Sequence, residues 1–196
     1  MPDTQPQLFE LADGGLLLYQ PEFLSQELAD RYFEELRNGI AWERKPGIFG
    51  HWQPRLIASY GDTGIVYRYS GKENFAIPWQ PPLIEIKRRI EEVNGDYNFC
   101  LLNLYRDGQD SMGWHADDEP EMGEVIGSLS LGATRKFRIR HNATRETMTF
   151  EAGHGTLIIM SGTMQSYWQH EVPKTKLPVG ERINLTFRKI HEVKKR

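Results

Sequence analysis

Three residues of the chain are of the types, and in the order, that hold non-haem iron. His115 and Asp117 are separated by a single residue, and His170 follows later in the chain. Two imidazoles and one carboxylate bind Fe(II) on one face and leave coordination positions open for a cosubstrate and O₂. An H-x-D pair alone occurs by chance in many proteins. It therefore indicates a metal site only together with the polar stretch that follows His170.

That stretch alternates polar and apolar side chains. Residues 182–188 read Arg-Ile-Asn-Leu-Thr-Phe-Arg, and in a strand the alternation puts the polar members on one face: Arg182, Asn184, Thr186 and Arg188. Asn103 and Tyr105 share a face of a second predicted strand. These faces are either exposed sheet surface or part of the interior. If they are interior, the guanidinium groups need an anionic partner, which a bound dicarboxylate supplies.

The first half of the chain predicts helices. Ser25 can cap a helix that runs to Arg37, with Gly39 beyond its end. A second helix begins at Pro81 and is stopped at Asn94-Gly95. Its apolar stripe has helical spacing and consists of Leu83, Ile86, Ile90 and Val93.

The second half predicts strands, because beyond residue 95 the hydrophobic period becomes two. The predicted strands are 97–105, 124–131, 135–141, 146–150, 155–160 and 182–190, with one short strand at 16–19 before the helices. This order of elements favours an α+β fold in which the helices pack against a closed or sandwiched β core. A double-sheet jelly roll is the most specific expectation.

Composition is that of a soluble globular protein, since 39% hydrophobic and 26% charged residues are ordinary proportions. A chain of 196 residues suits one core better than two. The single cysteine, Cys100, excludes an internal disulfide and suits a reducing compartment. No apolar stretch is long enough to span a bilayer, and residues 1–9 lack an export signal. We expect a monomer without a membrane partner, in the cytoplasm or, in a eukaryote, the nucleus.

The charge of the chain gives evidence both for and against nucleic-acid binding. The net charge of −3 argues mildly against it. However, residues 135–145 contain five basic side chains and no acidic one: Arg135, Lys136, Arg138, Arg140 and Arg145. A second basic cluster closes the chain at 194–196. Such a run is either a solvated face or a track for phosphates.

Several motifs together resemble the AlkB family of Fe(II)- and 2-oxoglutarate-dependent nucleic-acid dealkylases. The matching stretches, in family-like order and spacing, are 103–105, 114–120, 128–133, 170–173 and 182–188. Residues 48–52, 54–55 and 67–71 resemble the branch that contains the double-stranded-DNA repair enzymes. The resemblance implies one dioxygenase domain over residues 1–196, with a double-stranded β-helix (jelly-roll) core at about 97–190. It also implies a nucleotide-recognition segment at about 40–75.

The resemblance further implies the roles of the chemical residues. His115, Asp117 and His170 would ligate Fe(II). The 2-oxoglutarate cosubstrate would be held by Asn103, Tyr105, Arg182, Asn184, Thr186 and Arg188, with Arg182 pairing the distal carboxylate. With O₂, such enzymes oxidise the N-methyl group of a base such as 1-methyladenine or 3-methylcytosine and release succinate, CO₂ and formaldehyde. The implied partner is alkylated DNA or, alternatively, RNA.

Residues of the recognition segment would contact a base that has left the duplex stack. Tyr67 and Tyr69, with Arg68 between them, would stack on that base, although packing within a strand fits their spacing equally well. Phe49, in a basic loop with Gly50 and His51, would fill the gap left by the base. The alternative for Phe49 is an anchor that packs its loop onto the body.

Two carboxylates, Asp118 and Glu119, directly follow Asp117. They would attract a cationic lesion, support the metal ligands, or do both. Two other readings of the whole chain remain open. One is a 2-oxoglutarate oxygenase of the same fold that acts on RNA, protein or a small molecule, and the other is a non-catalytic nucleic-acid reader. The stacking pair and the Phe49 wedge favour the DNA dealkylase over the oxygenase alternative, and the complete set of iron ligands argues against the reader.

Overall fold

The computed structural model describes residues 5–46, 52–69 and 72–191, with the backbone alone at 67–69 and 72–74. Its helices are a 3-10 turn at Ala12–Gly14 and the α-helices α1 Gln26–Gly39, α2 Pro81–Glu91 and α3 Met164–Tyr167. The strands before α2 are β1 Gln7–Glu10, β2 Gly15–Gln20, β3 Leu56–Gly61, β4 Val66–Tyr69, β5 Lys72–Phe75 and β6 Ile77–Pro78. Those after it are β7 Phe99–Tyr105, β8 Met112–His115, β9 Ile126–Gly132, β10 Arg135–His141, β11 Thr147–Ala152, β12 Thr156–Gly162, β13 Trp168–Val172 and β14 Arg182–Arg188.

Most of these strands form two sheets. The larger sheet has the order β1-β2-β12-β9-β14-β7-β3-β6, the smaller has the order β11-β10-β13-β8, and β4 pairs with β5 in a separate hairpin. Ile126 and Ile158 of the larger sheet share a buried apolar cluster with Phe137 and Ile139 of the smaller. The two sheets therefore pack face to face, and the predicted double-sheet jelly roll is confirmed.

Helices α1 and α2 cover the other face of the larger sheet. Leu36 of α1 and Ile86 of α2 lie in one buried cluster with Leu185 of β14. Ser25 caps α1 as predicted, because its Oγ accepts a hydrogen bond from the Leu28 backbone N–H at 3.3 Å. The second helix is shorter than its apolar stripe suggested. It ends at Glu91, and Val93, which was expected on the buried stripe, is 39% exposed.

Strand β14 occupies the middle of the larger sheet and is paired on both sides. Its antiparallel register with β7 puts Arg182 opposite Tyr105 and Asn184 opposite Asn103. The apolar residues of β14 pack with the helices, so its polar face points towards the smaller sheet. The arginine faces are therefore interior, which decides between the two alternatives left open by the sequence.

Two short strands that the sequence did not predict carry the histidines. β8 ends on His115, and β13 contains His170, and the antiparallel register pairs these two residues directly. Among the described residues, no helix combines the length and the apolar character needed to cross a membrane.

Candidate metal and cosubstrate site

The paired strands β8 and β13 bring the three predicted metal ligands together. The rings of His115 and His170 have centroids 4.1 Å apart. Asp117 lies just beyond the end of β8 and is 3% exposed. One potential ligand atom from each of the three residues lies within 4.8 Å of the others. This spacing allows all three to bind one ion.

One oxygen of the Asp117 carboxylate accepts a hydrogen bond within the described part of the chain, and the other does not. Oδ1 accepts a hydrogen bond from Nη2 of Arg188 at 2.8 Å. Oδ2 is buried without a hydrogen-bond partner among the described residues, 3.9 Å from Nε2 of His170. A buried anionic oxygen without a partner is costly. It is the atom that a cation bound between the imidazoles would neutralise.

Burial sets the protonation states of the ligands. It lowers the pKa of His170 to about 3, with the neighbouring His115 acting in the same direction, and it also lowers the pKa of His115. Burial alone would raise the pKa of Asp117, but the charge of Arg188 and its hydrogen bond to the carboxylate hold that pKa well below its usual value. At neutral pH the site thus presents two neutral imidazoles and a carboxylate, the forms that bind a metal.

The orientation of His115 is also determined by a neighbour. Its Nδ1 lies 2.8 Å from the carbonyl oxygen of Gly113. Because a carbonyl can only accept, the hydrogen-bonded tautomer carries its proton on Nδ1 and leaves Nε2 free to ligate.

Arg182 is the second buried group that lacks a full set of partners. It is 1% exposed, and its Nη2 donates to Ser130 Oγ at 2.8 Å. Its Nε and Nη1 have no hydrogen-bond partner among the described residues, and Cζ lies 5.2 Å from the centroid of the Tyr105 ring. Burial lowers its pKa to about 10. A buried guanidinium with two donors available fits a ligand carboxylate.

The three potential metal ligands line one cavity together with five of the predicted cosubstrate residues, which are Asn103, Tyr105, Asn184, Thr186 and Arg188. Asn184 donates through Nδ2 to Ser128 Oγ at 2.9 Å, and Thr186 donates to Asn184 Oδ1 at 3.4 Å. These five cosubstrate residues form what we call the polar wall, and they surround one cavity together with the three potential metal ligands.

The predicted substrate contacts are only partly described. Phe49, Gly50 and His51 lie outside the described residues. Tyr67, Arg68 and Tyr69 belong to β4, whose backbone pairs with β5. Asp118 is exposed and Glu119 is half-buried, and they lie one and two positions after Asp117. The contacts of these residues with a base stay a prediction.

The basic stretch on β10 divides into two faces. Arg135 is 3% exposed and donates to three backbone carbonyls, those of Asp107 at 3.0 Å, Asp110 at 2.9 Å and Pro173 at 2.7 Å. It fastens the loops after β7 and β13, so the expectation that Arg135 belongs to a phosphate track is wrong. Its buried donors are already used within the protein.

Arg138 and Arg140 are half-buried on the opposite face of β10. Their Cζ atoms lie 5.3 Å and 4.1 Å from the centroid of the Trp114 ring. Trp114 belongs to the family-like stretch 114–120. It precedes His115 on β8 and contacts these arginines, so it points away from the cavity. Nη1 of Arg138 also donates to Oε1 of Glu171 at 2.9 Å, whereas Arg140 donates to the neutral Gln169, so the surface around the Trp114 ring has two guanidinium groups and one carboxylate.

Two residues of the site were not singled out by the sequence. Arg55 lines the cavity, is 5% exposed and donates from Nε to Oδ1 of Asn103 at 2.6 Å. Gln165 of α3 accepts through Oε1 from the backbone N–H of Asp117 at 2.9 Å. Arg55 belongs to the family-like stretch 54–55 but was given no role, and Gln165 belongs to no motif.

Comparison with known proteins agrees with this site. The family model of the 2OG-Fe(II) oxygenase superfamily matches residues 16–188. The fold resembles a solved structure titled "The structure of OsALKBH1", with a TM-score of 0.60, 20% sequence identity, and 93% of this chain and 100% of that chain covered.

Similarity to curated proteins identifies the family to which the chain belongs within this superfamily. The chain is 39% identical over 184 residues to the DNA oxidative demethylase ALKBH2 of Mus musculus, covering 85% of this chain and 77% of the relative. It is 38% identical over 185 residues to ALKBH2 of Bos taurus, with 86% and 66% covered. It is 41% identical over 187 residues to the alpha-ketoglutarate-dependent dioxygenase alkB homolog 3 of Bos taurus, with 87% and 65% covered. The chain belongs to the AlkB family of 2OG-Fe(II) oxygenases.

The chain spans slightly less than two thirds of the length of the two Bos taurus relatives, 66% and 65%. The cofactors of the superfamily are Fe(II) and 2-oxoglutarate, with O₂ as the oxidant. The unpartnered Oδ2 of Asp117 fits the metal, and the unpartnered donors of Arg182 fit the dicarboxylate.

Proposed function

We propose that this protein is a DNA repair dioxygenase that removes N-alkyl groups from damaged bases by oxidation. The observation that carries the proposal is the single cavity bounded by His115, Asp117 and His170 and by a polar wall with a buried, partly unpartnered arginine behind it. Relatives that are named DNA oxidative demethylases support DNA as the substrate.

The metal would be held by His115, Asp117 and His170. When bound, Fe(II) would couple the reduction of O₂ to the decarboxylation of 2-oxoglutarate, which yields succinate and CO₂. The protein itself keeps the two imidazoles neutral, the carboxylate ionised and all three side chains in place. Arg188 fixes one oxygen of Asp117, and the Gly113 carbonyl fixes the tautomer of His115.

The cosubstrate would be oriented by the polar wall. Arg182 pairs the distal carboxylate, because its free donors are the buried cationic atoms beside Tyr105. Arg55 occupies Oδ1 of Asn103, which leaves the Asn103 amide N–H groups to donate to a ligand. Apolar side chains that also line the cavity, including Leu101, Phe137 and Met160, exclude water from the reacting atoms.

One oxygen atom of O₂ ends in succinate, and the other would be inserted into a C–H bond of the substrate, which converts N–CH₃ to N–CH₂OH. Cleavage of that N–C bond then releases formaldehyde and restores the base. Asp118 and Glu119 add negative charge next to the metal ligands, which favours the cationic lesions 1-methyladenine and 3-methylcytosine.

The recognition segment at about 40–75 would hold the extruded base and the DNA around it. Tyr67 and Tyr69 stack on the base, with Arg68 beside them, and Phe49, carried with Gly50 and His51, fills the gap in the duplex. We propose that the jelly-roll core at about 97–190 and this segment act as one domain, as a monomer, in the cytoplasm or the nucleus.

The test is a direct repair assay. Purified protein is incubated with Fe(II), ascorbate, 2-oxoglutarate and oligonucleotides that carry 1-methyladenine or 3-methylcytosine, as single- and double-stranded DNA and as RNA. Mass spectrometry follows the loss of the methyl group, and Asp117→Ala is the inactive control. Demethylation of DNA that stops without 2-oxoglutarate supports the proposal. Demethylation of RNA alone, or of neither polymer while 2-oxoglutarate is still consumed, assigns the site to another substrate.

A further inference from the structure

The short helix α3 contacts Asp117, one of the three potential metal ligands. Oε1 of Gln165 accepts the backbone N–H of Asp117 at 2.9 Å, across 48 positions of sequence. Nε2 of the same side chain lies 3.8 Å from Sδ of Met160, which lines the cavity. Both ends of the Gln165 amide therefore face the site.

Asp117 is consequently held at two points. Arg188 fixes the carboxylate, and Gln165 fixes the backbone. Asp117 lies beyond the last residue of β8, so no strand pairing of β8 restrains its peptide. Without the Gln165 oxygen, a buried N–H would lose its acceptor and the turn that aims the carboxylate would lose its support.

The helix that presents Gln165 is itself fastened to the Ala12–Gly14 turn. The Thr163 backbone N–H donates to the Gly14 carbonyl at 3.3 Å, and the Thr163 hydroxyl donates to the Asp13 carbonyl. Indole Nε1 of Trp168, the residue after α3, donates to the Ala12 carbonyl at 3.1 Å. Both ends of α3 are thus bound to the Ala12–Gly14 turn, which fixes the position of the Gln165 side chain.

We propose that Gln165 is a positioning residue for the metal centre, which acts by holding the peptide of Asp117. Groups that orient a metal ligand typically change metal affinity by about tenfold or more when removed. Gln165 is only half-buried, so its replacement removes little core packing. The inference concerns the metal centre and does not depend on DNA being the substrate.

The test compares metal affinity in two substitutions of similar size. Gln165→Met keeps the length of the side chain and removes the acceptor, whereas Gln165→Glu keeps an acceptor oxygen. Ser166→Ala, on the exposed side of the same helix, is the control. Binding of Mn(II), a redox-stable substitute for Fe(II), is titrated into metal-free protein by the EPR signal of free Mn(II). Thermal unfolding of each variant is recorded in parallel.

We expect Gln165→Met to weaken Mn(II) binding about tenfold, and Gln165→Glu and Ser166→Ala to stay within about threefold of the original chain. At saturating Fe(II), the KM for 2-oxoglutarate should not change. If Gln165→Met does not fold, Gln165→Asn repeats the test, because its amide is one methylene too short to reach. Unchanged affinity in the variants without an acceptor, or an equal loss in Gln165→Glu, would overturn the inference.

Discussion

Nη2 of Arg188 lies 2.8 Å from Oδ1 of Asp117, and Arg188 and Arg182 are the last and first residues of the same strand, β14. Arg188 supports a potential metal ligand, while Arg182 provides the buried cation at the other end of the polar wall. Because β14 is paired on both sides, the backbone spacing between these two arginines is set by the sheet. The rigidity of one central strand thus aligns the metal end of the site with the cosubstrate end.

Replacement of Arg182 should affect the cosubstrate and leave the metal in place. We expect Arg182→Ala to raise the KM for 2-oxoglutarate by about tenfold to a hundredfold, since loss of a charged hydrogen bond costs about 1.5–3 kcal/mol. Steady-state consumption of 2-oxoglutarate measures the KM, and Mn(II) titration measures the metal site. Arg31→Ala, which removes an exposed guanidinium on α1, is the matched control. A weaker metal site with an unchanged KM would reassign Arg182 to the metal end.

The face of β10 that carries Arg138 and Arg140 should contact phosphates. If it does, Arg138→Ala with Arg140→Ala weakens binding to all DNA sequences alike and reduces the slope of log K against log salt by about two. The double variant Arg88→Ala with Arg89→Ala removes the same charge from the exposed side of α2. Fluorescence anisotropy at several salt concentrations measures both. An equal effect of the two double variants would indicate only long-range attraction, and no effect would make the β10 face a solvated surface.

The parts of the fold that the sequence predicted are those with a regular hydrophobic period. β14 alternates Ile183, Leu185 and Phe187 with polar residues, and both its type and its polar face follow from that pattern. β13 was not predicted, because His170 occupies the middle one of its three inward positions, where a plain strand would have an apolar residue. The residue that is proposed to bind the metal therefore interrupts the hydrophobic pattern by which the strand would be predicted.

The two faces of β10 could have been separated from the sequence. Period two places Arg135 with Phe137 and Ile139, which are buried, and Arg138 with Arg140 on the other side. The charge count of residues 135–145 does not distinguish the buried arginine from the two arginines on the other face. The contact between Gln165 and Asp117 is different in kind. It joins distant segments through one side-chain oxygen, and no local spacing indicates it.

The loop that leads into β8 should lose stability at low pH. Asp110 is 4% exposed and accepts hydrogen bonds from the backbone N–H and from Nε and Nη2 of Arg106. Burial would raise the pKa of Asp110, but these bonds and the arginine charge lower it below its usual value. A carboxyl whose pKa is lower in the folded state contributes stability above its unfolded pKa and loses it as the pH falls through the folded one.

Asp110→Asn should therefore be destabilised at neutral pH, on the order of 1 kcal/mol because Arg106 is partly exposed. The difference from the original chain should shrink as the pH falls below the ordinary range of an aspartate. Urea unfolding at several pH values measures it. Asp96→Asn, on an exposed carboxylate paired with Lys189, is the control and should have a smaller effect. A difference that stays constant with pH would mean that Asp110 stabilises the loop by its shape and not by its charge.

Phe49 should matter for duplex DNA far more than for single strands. The residue lies outside the described part of the chain, and the prediction rests on its place in a basic loop ahead of Tyr67 and Tyr69. In a duplex the enzyme must unpair and unstack its target, at a cost of a few kcal/mol, and an inserted ring replaces part of the lost stacking. A single strand needs little of this compensation.

We expect Phe49→Ala to lower kcat/KM on a duplex carrying 3-methylcytosine by about tenfold or more, and to change single-strand repair of the same lesion by much less. Phe49→Trp, which keeps an aromatic ring, is the matched variant and should retain duplex repair. The comparison is internal to each protein, because a general loss of stability lowers both rates together. An equal fall on both substrates would make Phe49 a packing residue or a general DNA contact. No change on either would mean that this loop does not reach the DNA, and preference for duplex would then have to come from another part of the recognition segment.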